Sequence, residues 1–313
     1  MTTGRIQNSD CANTPADTTH AKAEVSATTA QTKTETARSV VVSYDLASGK
    51  TTTQASTQDA RTFMLDGGSG AYTALRTVDG GRRVFLLSEH MQRLAQSHAL
   101  LLHGTQPAAY WLTLVHPLLR QARDAFGAPG DCKLTVLVGQ THVHVQATRL
   151  EPPPASCVVR FAAGHRSAPE AKDLQWVHER ARLERLITDG VGEVVLVDDG
   201  CFYEGLSSNF FATRRVGEGA GFADYELLTA PRGSVLLGTV MRLVLRICAR
   251  DGVCVREDAR VGADWSGAFV TSTSRGVLPV SRIIDGPPVA EDALVRHLRD
   301  SVRALAIAES TEL

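Results

Sequence analysis

Short runs rich in apolar residues, bounded by polar turn residues, recur through the first half of the chain. Val40-Val41-Val42-Ser43-Tyr44, Thr62-Phe63-Met64-Leu65, Ala71-Tyr72-Thr73-Ala74-Leu75 and Arg83-Val84-Phe85-Leu86-Leu87 are predicted strands, separated by turns such as Asp79-Gly80-Gly81. Ser88 is placed to cap a following helix, with Met91 at its N3 position and Glu89 near its positive end. Trp111, Leu114, Val115, Leu118 and Leu119 recur at helical spacing and predict an amphipathic helix over Ala108 to Phe126. Two further strands, Lys133–Val138 and His142–Thr148, close this half.

Glu151-Pro152-Pro153-Pro154 is the strongest linker signal, because proline neither continues a strand ladder nor bends freely. Beyond it strands alternate with three helices, read as roughly Asp173–Asp189, Thr239–Asp251 and Ala290–Ala308. The pattern predicts an α/β (α+β) chain in two domains around a cleft. The expected parts are a disordered tail at 1–38, a smaller domain at 39–150, a linker at 151–156 and a larger domain at 157–313. The tail is rich in Thr, Ala, Ser and Gln and has too little apolar surface to offset its ordering entropy. Asp10, Asp17, Glu24 and Glu35 argue against a transit peptide there.

Composition narrows the function classes. The 313 residues carry 33 basic and 34 acidic side chains, with no basic block that suggests nucleic acid. No apolar run approaches the ~18 residues of a membrane-spanning helix. The six cysteines form no Cys-x-x-Cys pair, so neither zinc nor a disulfide framework is expected, and a reducing, cytoplasmic setting is the simplest reading. His142 and His144 share one strand face without a third metal ligand.

The candidate chemistry sits at Lys172 and Glu204, thirty-two residues apart. A lysine amine condenses with an aldehyde cofactor, and a carboxylate holds a pyridine nitrogen protonated. The strings Ala171-Lys172-Asp173-Leu174 and Tyr203-Glu204-Gly205-Leu206-Ser207-Ser208-Asn209-Phe210-Phe211 resemble the fold-type IV pyridoxal 5′-phosphate enzymes. That family comprises branched-chain and D-amino acid aminotransferases and aminodeoxychorismate lyases, and the resemblance runs from about Phe63 to Gly286.

The resemblance implies that Lys172 holds the cofactor as a Schiff base and shuttles the substrate proton, while Glu204 pairs with the ring nitrogen. It assigns the phosphate to Arg93 in the His-x-x-Arg-Leu string, to Gly238-Thr239-Val240 at a helix start, and to Thr273 at a strand end; Asn209 joins this cofactor set. Tyr72, Lys133, Ser274 and Arg275 are substrate-side candidates, Tyr72 as an aromatic wall and Lys133 near a substrate carboxylate. His90 is read as structural.

Some positions depart from the family pattern. Val240 stands where many relatives have threonine, Val177 where branched-chain enzymes have tyrosine, Tyr203 where serine or threonine is usual, and Arg275 where small residues are common. These changes leave the cofactor residues in place and bear on the substrate. The leading expectation is an aminotransferase acting on a small amino acid and a 2-oxo acid, as a homodimer. A lyase releasing pyruvate and a non-catalytic cofactor-binding relative are the alternatives, and the motifs do not separate them.

Overall fold

Apolar strands that bury one face fold here into two sheets, each covered by amphipathic helices. The computed structural model describes residues 38–188, 190–219 and 221–313, which belong to one compact unit. The tail expected at 1–38 lies outside the described residues except for Arg38.

In chain order the first part contains β1 (Ser39–Asp45), β2 (Thr51–Ser56), α1 (Ala60–Asp66), β3 (Ala71–Val78), β4 (Arg83–Phe85), α2 (Leu87–Leu102), α3 (Ala108–Phe126), β5 (Cys132–Val138) and β6 (His142–Arg149). The second contains β7 (Cys157–Ala163), α4 (Leu174–Glu184), β8 (Val191–Asp198), β9 (Cys201–Gly205), β10 (Asn209–Arg215) and β11 (Tyr225–Thr229). It continues with α5 (Thr239–Asp251), β12 (Cys254–Arg256), β13 (Gly267–Ser272), β14 (Gly276–Ile284), α6 (Ala293–Ala304) and β15 (Ser310–Glu312).

The first sheet has seven strands in the order β15-β4-β3-β5-β6-β1-β2, all antiparallel. Trp111, Val115 and Leu119 of α3 and Met91 and Leu94 of α2 pack on it in one core. The second sheet has eight strands in the order β12-β11-β10-β13-β14-β7-β8-β9 and mixes parallel with antiparallel pairs. Its core joins Phe210, Phe211 and Phe269 to Val244 and Ile247 of α5 and Leu298 of α6. Mixed helix and sheet is thus the observed class. Residues 150–156 run between the two sheets without regular structure. The last strand, β15, crosses back to pair with β4 of the first sheet.

Several elements differ from the sequence expectation. Thr62–Leu65 is helical: Asp59 accepts the Thr62 amide at 2.7 Å and caps α1, whose Phe63 and Met64 are buried. Ser88 does not cap α2. The helix begins two residues earlier than a Ser88 cap would place it, after Leu86 in a left-handed conformation (φ 52°), because burying both Leu86 and Leu87 sets the entry. Strand β4 accordingly stops at Phe85, short of the expected Leu87. Helix α4 ends at Glu184 and α6 spans Ala293–Ala304, where Asp292 accepts the Val295 amide at 2.8 Å. Strand β2 was not anticipated, since its Thr-rich edge has no buried face to impose alternation.

Candidate active site

Lys172 lies on the irregular segment between β7 and α4, and its backbone is held from both sides. The Lys172 amide donates to Ser97 Oγ of α2 at 2.9 Å, and the Lys172 carbonyl accepts from the Tyr72 amide at 3.0 Å. Arg166 donates to the Ala171 carbonyl, and the Leu174 amide donates to the Gly70 carbonyl at 3.0 Å. Asp173 caps α4 immediately afterwards. Lysine at a helix start is normally a solvated charge. Here the strap aims it inward, with Nζ 4.5 Å from the centre of the Tyr72 ring. Burial, reinforced by the Arg93, Arg166 and Arg180 cations against the opposing effect of Tyr72, lowers the amine to about 8.

Glu204, on β9, faces the same cavity and is 4 % exposed. One carboxylate oxygen, Oε2, accepts the Leu236 amide at 3.3 Å. Oε1 has no hydrogen-bond partner among the described residues, and Arg166 Nη1 stands 3.8 Å from it. Burial raises the carboxyl to about 7, although Arg166 pulls the other way. An unpaired buried acceptor of this kind is costly unless something in the cavity donates to it. A protonated ring nitrogen is such a donor.

A cup of donors forms where three elements converge. Buried Arg93 of α2 gives Nη2 to Thr73 Oγ1 at 2.9 Å, while its Nε has no partner among the described residues. Burial lowers this guanidinium to about 10, which still leaves it charged at neutral pH. Helix α5 starts at Thr239 with no side-chain cap, so its first amides and positive end are open. A Cβ at Gly238 before it would fall 2.1 Å from Asn209 Oδ1, so a side chain there would force Asn209 to move. Asn209 fixes this turn by donating to the Leu236 carbonyl at 2.6 Å. Thr273 brings its Oγ1 within 3.4 Å of Thr239 Oγ1. The residues present therefore fit pyridoxal phosphate: a depressed amine, an unpaired carboxylate oxygen and a cationic cup around one cavity of about 900 Å³, counting the space at its mouth.

The cavity walls include every cofactor-side residue expected from sequence, namely Arg93, Lys172, Glu204, Asn209, Gly238, Thr239, Val240 and Thr273, together with Tyr72, Lys133 and Ser274. Arg275 is not among them. Its guanidinium is tied to buried Glu193 and to Ser207 Oγ at 3.3 Å, and it borders a neighbouring opening that shares Lys133 and Ser274. Burial depresses the Lys133 amine. Tyr72, which burial alone would push up, is lowered to about 7 by the Lys172, Arg180 and Arg166 cations.

Sequence reasoning missed Arg166, Arg180, Trp176 and Met64, all of which line the cavity. Trp176 and Arg180 are four residues apart on α4 and both donate to the Leu206 carbonyl, at 3.1 and 2.8 Å. Their helical spacing was the available signal. Arg166 sits in an irregular stretch and carried none.

An inward lysine, a buried carboxylate and a cluster of cationic and amide donors line one cavity, the set of groups that a pyridoxal phosphate enzyme would use. Residues 70–283 match the model of the class IV amino-transferases, and the chain belongs to that family of pyridoxal phosphate-dependent aminotransferases. No curated protein sequence matches the chain significantly. Among solved structures, the chain is similar to a branched-chain aminotransferase from Thermoproteus uzoniensis with norvaline (17% identity, TM-score 0.67, covering 87% of this chain and 98% of that one). It is also similar to a PLP-bound hypothetical aminotransferase from Mycobacterium tuberculosis (21%, 0.64, 86% and 99%). A third is the Escherichia coli branched-chain amino acid aminotransferase (20%, 0.60, 77% and 85%). At these identities the likeness concerns the fold.

Proposed function

We propose that Lys172 carries the cofactor of this aminotransferase and that the enzyme moves an amino group between a small amino acid and a 2-oxo acid. The observation that carries this reading is the convergence of the depressed Lys172 amine and the unpaired Glu204 Oε1 on one cavity. Bound pyridoxal phosphate supplies an aldehyde for amine exchange and an electron-withdrawing ring. Glu204 Oε1 would accept a hydrogen bond from the ring N–H and hold that nitrogen charged. Arg93, the first amides of α5 and the Thr239 and Thr273 hydroxyls bind the phosphate.

With its amine lowered to about 8 in the free cavity, Lys172 Nζ is neutral in a useful fraction of molecules near that pH and would serve as the base. It would take the proton from the substrate α carbon and return it at the cofactor's aldehyde-derived carbon, two bonds away across the shared nitrogen, so a single base serves both transfers. Tyr72, Trp176 and Met64 wall the cavity and exclude water from this exchange. Lys133 offers a cation to a substrate carboxylate, whereas Arg275, held by Glu193, acts at the adjoining opening. The norvaline and alpha-ketoglutarate in the names of two similar structures support small amino and 2-oxo acids as the substrate class.

The same reading includes a homodimer, supported by exposed Leu100, Tyr110 and Leu112 on α2 and α3, a cytoplasmic setting, and a division of the chain into two domains at 151–156. The test of function is a single-substrate half-reaction. Holoenzyme mixed with one amino acid from an L and D panel should lose its cofactor absorbance and release the matching 2-oxo acid. Pyruvate release from aminodeoxychorismate, with no bleaching by any amino acid, would assign a lyase instead.

A further inference from the structure

His90 is fully buried where four elements meet, next to the cup. Its Nδ1 lies 2.7 Å from Thr73 Oγ1 on β3 and 3.2 Å from Arg93 Nη2 on its own helix, α2. Its Nε2 lies 3.3 Å from Thr239 Oγ1 at the start of α5 and 3.4 Å from Thr273 Oγ1 in the β13–β14 turn.

Hydrogen-bond polarity follows from these partners. A guanidinium only donates, so the Nδ1 that Arg93 faces must present a lone pair. Thr73 Oγ1 already accepts from Arg93 Nη2 at 2.9 Å and has its own hydrogen free for Nδ1. The ring proton is therefore on Nε2. Burial and the Arg93 and Lys172 cations push the ring well below the usual histidine range, so the second proton is absent. Nε2–H then donates to the Thr239 and Thr273 oxygens. A hydroxyl that accepts from the ring keeps its hydrogen to give, and both threonines line the cavity.

We propose that His90 is a positioning residue that sets the polarity of the cup: in its Nε2–H form it turns the Thr239 and Thr273 hydroxyls into donors toward an anionic phosphate. This rests on Arg93, Thr239 and Thr273 being the phosphate ligands. The opposite tautomer would make the same hydroxyls donate to the ring and present oxygen lone pairs to the anion, which repel it.

Long-range proton–nitrogen NMR on ¹⁵N-labelled protein reads the tautomer, with the His90 signal assigned by its loss in His90→Gln. A neutral ring protonated at Nε2 is expected; protonation at Nδ1, or at both nitrogens, overturns the proposal. Binding supplies the second readout, using pyridoxal 5′-phosphate and pyridoxal as probes. His90→Leu removes the donor that orients the two hydroxyls and should weaken the phosphate-bearing probe roughly fivefold, the net value of one neutral hydrogen bond, and leave pyridoxal unchanged. His90→Gln, whose amide N–H reaches toward the Nε2 position, should restore most of that loss. Equal weakening of both probes, or of neither, overturns the proposal while leaving the cup intact. If Arg93→Ala also binds pyridoxal 5′-phosphate as wild type does, the cup reading itself falls and takes the proposal with it.

Discussion

Replacing Glu204 by glutamine should stabilise the cofactor-free protein while impairing the enzyme. The buried carboxyl titrates at about 7 in the fold against an ordinary 4.5. Below pH 4.5 folded and unfolded chains are both protonated there, and the site costs nothing. As pH rises from 4.5 to about 7 the unfolded chain ionises and the folded one resists, so folding stability is lost across that window; above it the loss is complete. The displacement corresponds to about 3 kcal/mol, since one unit is ~1.4 kcal/mol. Glutamine keeps an acceptor for the Leu236 amide and carries no charge. Apo Glu204→Gln should therefore melt roughly 6–12 °C above apo wild type at pH 8, and at the same temperature near pH 4.5. Thermal melts of both apo proteins across this range, at matched ionic strength, give the difference in which all other titrations cancel. Saturating cofactor should shrink or reverse the gap, because the ring cation relieves the wild-type carboxylate alone. An apo variant no more stable than wild type at pH 8, or a gap that does not change with pH, would refute the reasoning.

Other expectations concern groups that hold the site in place. Ser97→Ala strips the Lys172 amide of its acceptor in a fully buried position, costing about 1–3 kcal/mol of stability; turnover should fall with little change in the substrate KM, and Ser97→Thr should recover it in steady-state assays. Gly238→Ala places a methyl 2.1 Å from Asn209 Oδ1, so Asn209, which braces the turn that opens α5, must shift. Equilibrium dialysis should then show weaker pyridoxal 5′-phosphate retention, with secondary structure by circular dichroism unchanged.

The legible part of this protein was the part encoded locally. Helix α3 announced itself through Trp111, Val115, Leu118 and Leu119, and α5 through an equally regular apolar face ending at Gly252. The residues proposed to hold the cofactor could be named by resemblance because their motifs are contiguous strings, as at Gly238-Thr239-Val240, and they line one cavity. What was hidden depends on contacts between distant segments. Phe63-Met64-Leu65 is a short continuous apolar run that periodicity alone does not assign to strand or helix, and the Asp59 cap and the packing of α1 beside α4 make it helical. Arg166 reaches Glu204 from across the chain, and nothing in its own neighbourhood signals a buried cation. Arg275 shows the converse: its sequence position suggested a carboxylate anchor, but the pairing with Glu193, eighty-two residues away, turns it from the cavity. The Ser88 expectation failed because α2's entry is set by the tertiary burial of Leu86 and by its bond to Glu309, not by a local cap.

The central claim is that Lys172 carries the cofactor, and borohydride reduction of the holoenzyme followed by peptide mass mapping tests it most directly. Two lysines line the cavity, Lys172 and Lys133, and both are depressed by burial, so the outcome is a choice between named positions. The phosphopyridoxyl mass is expected on the peptide containing Lys172 alone, and absent from Lys172→Ala. The same mass on Lys133, or a reduced protein that carries no adduct after reconstitution with pyridoxal 5′-phosphate, would contradict the account.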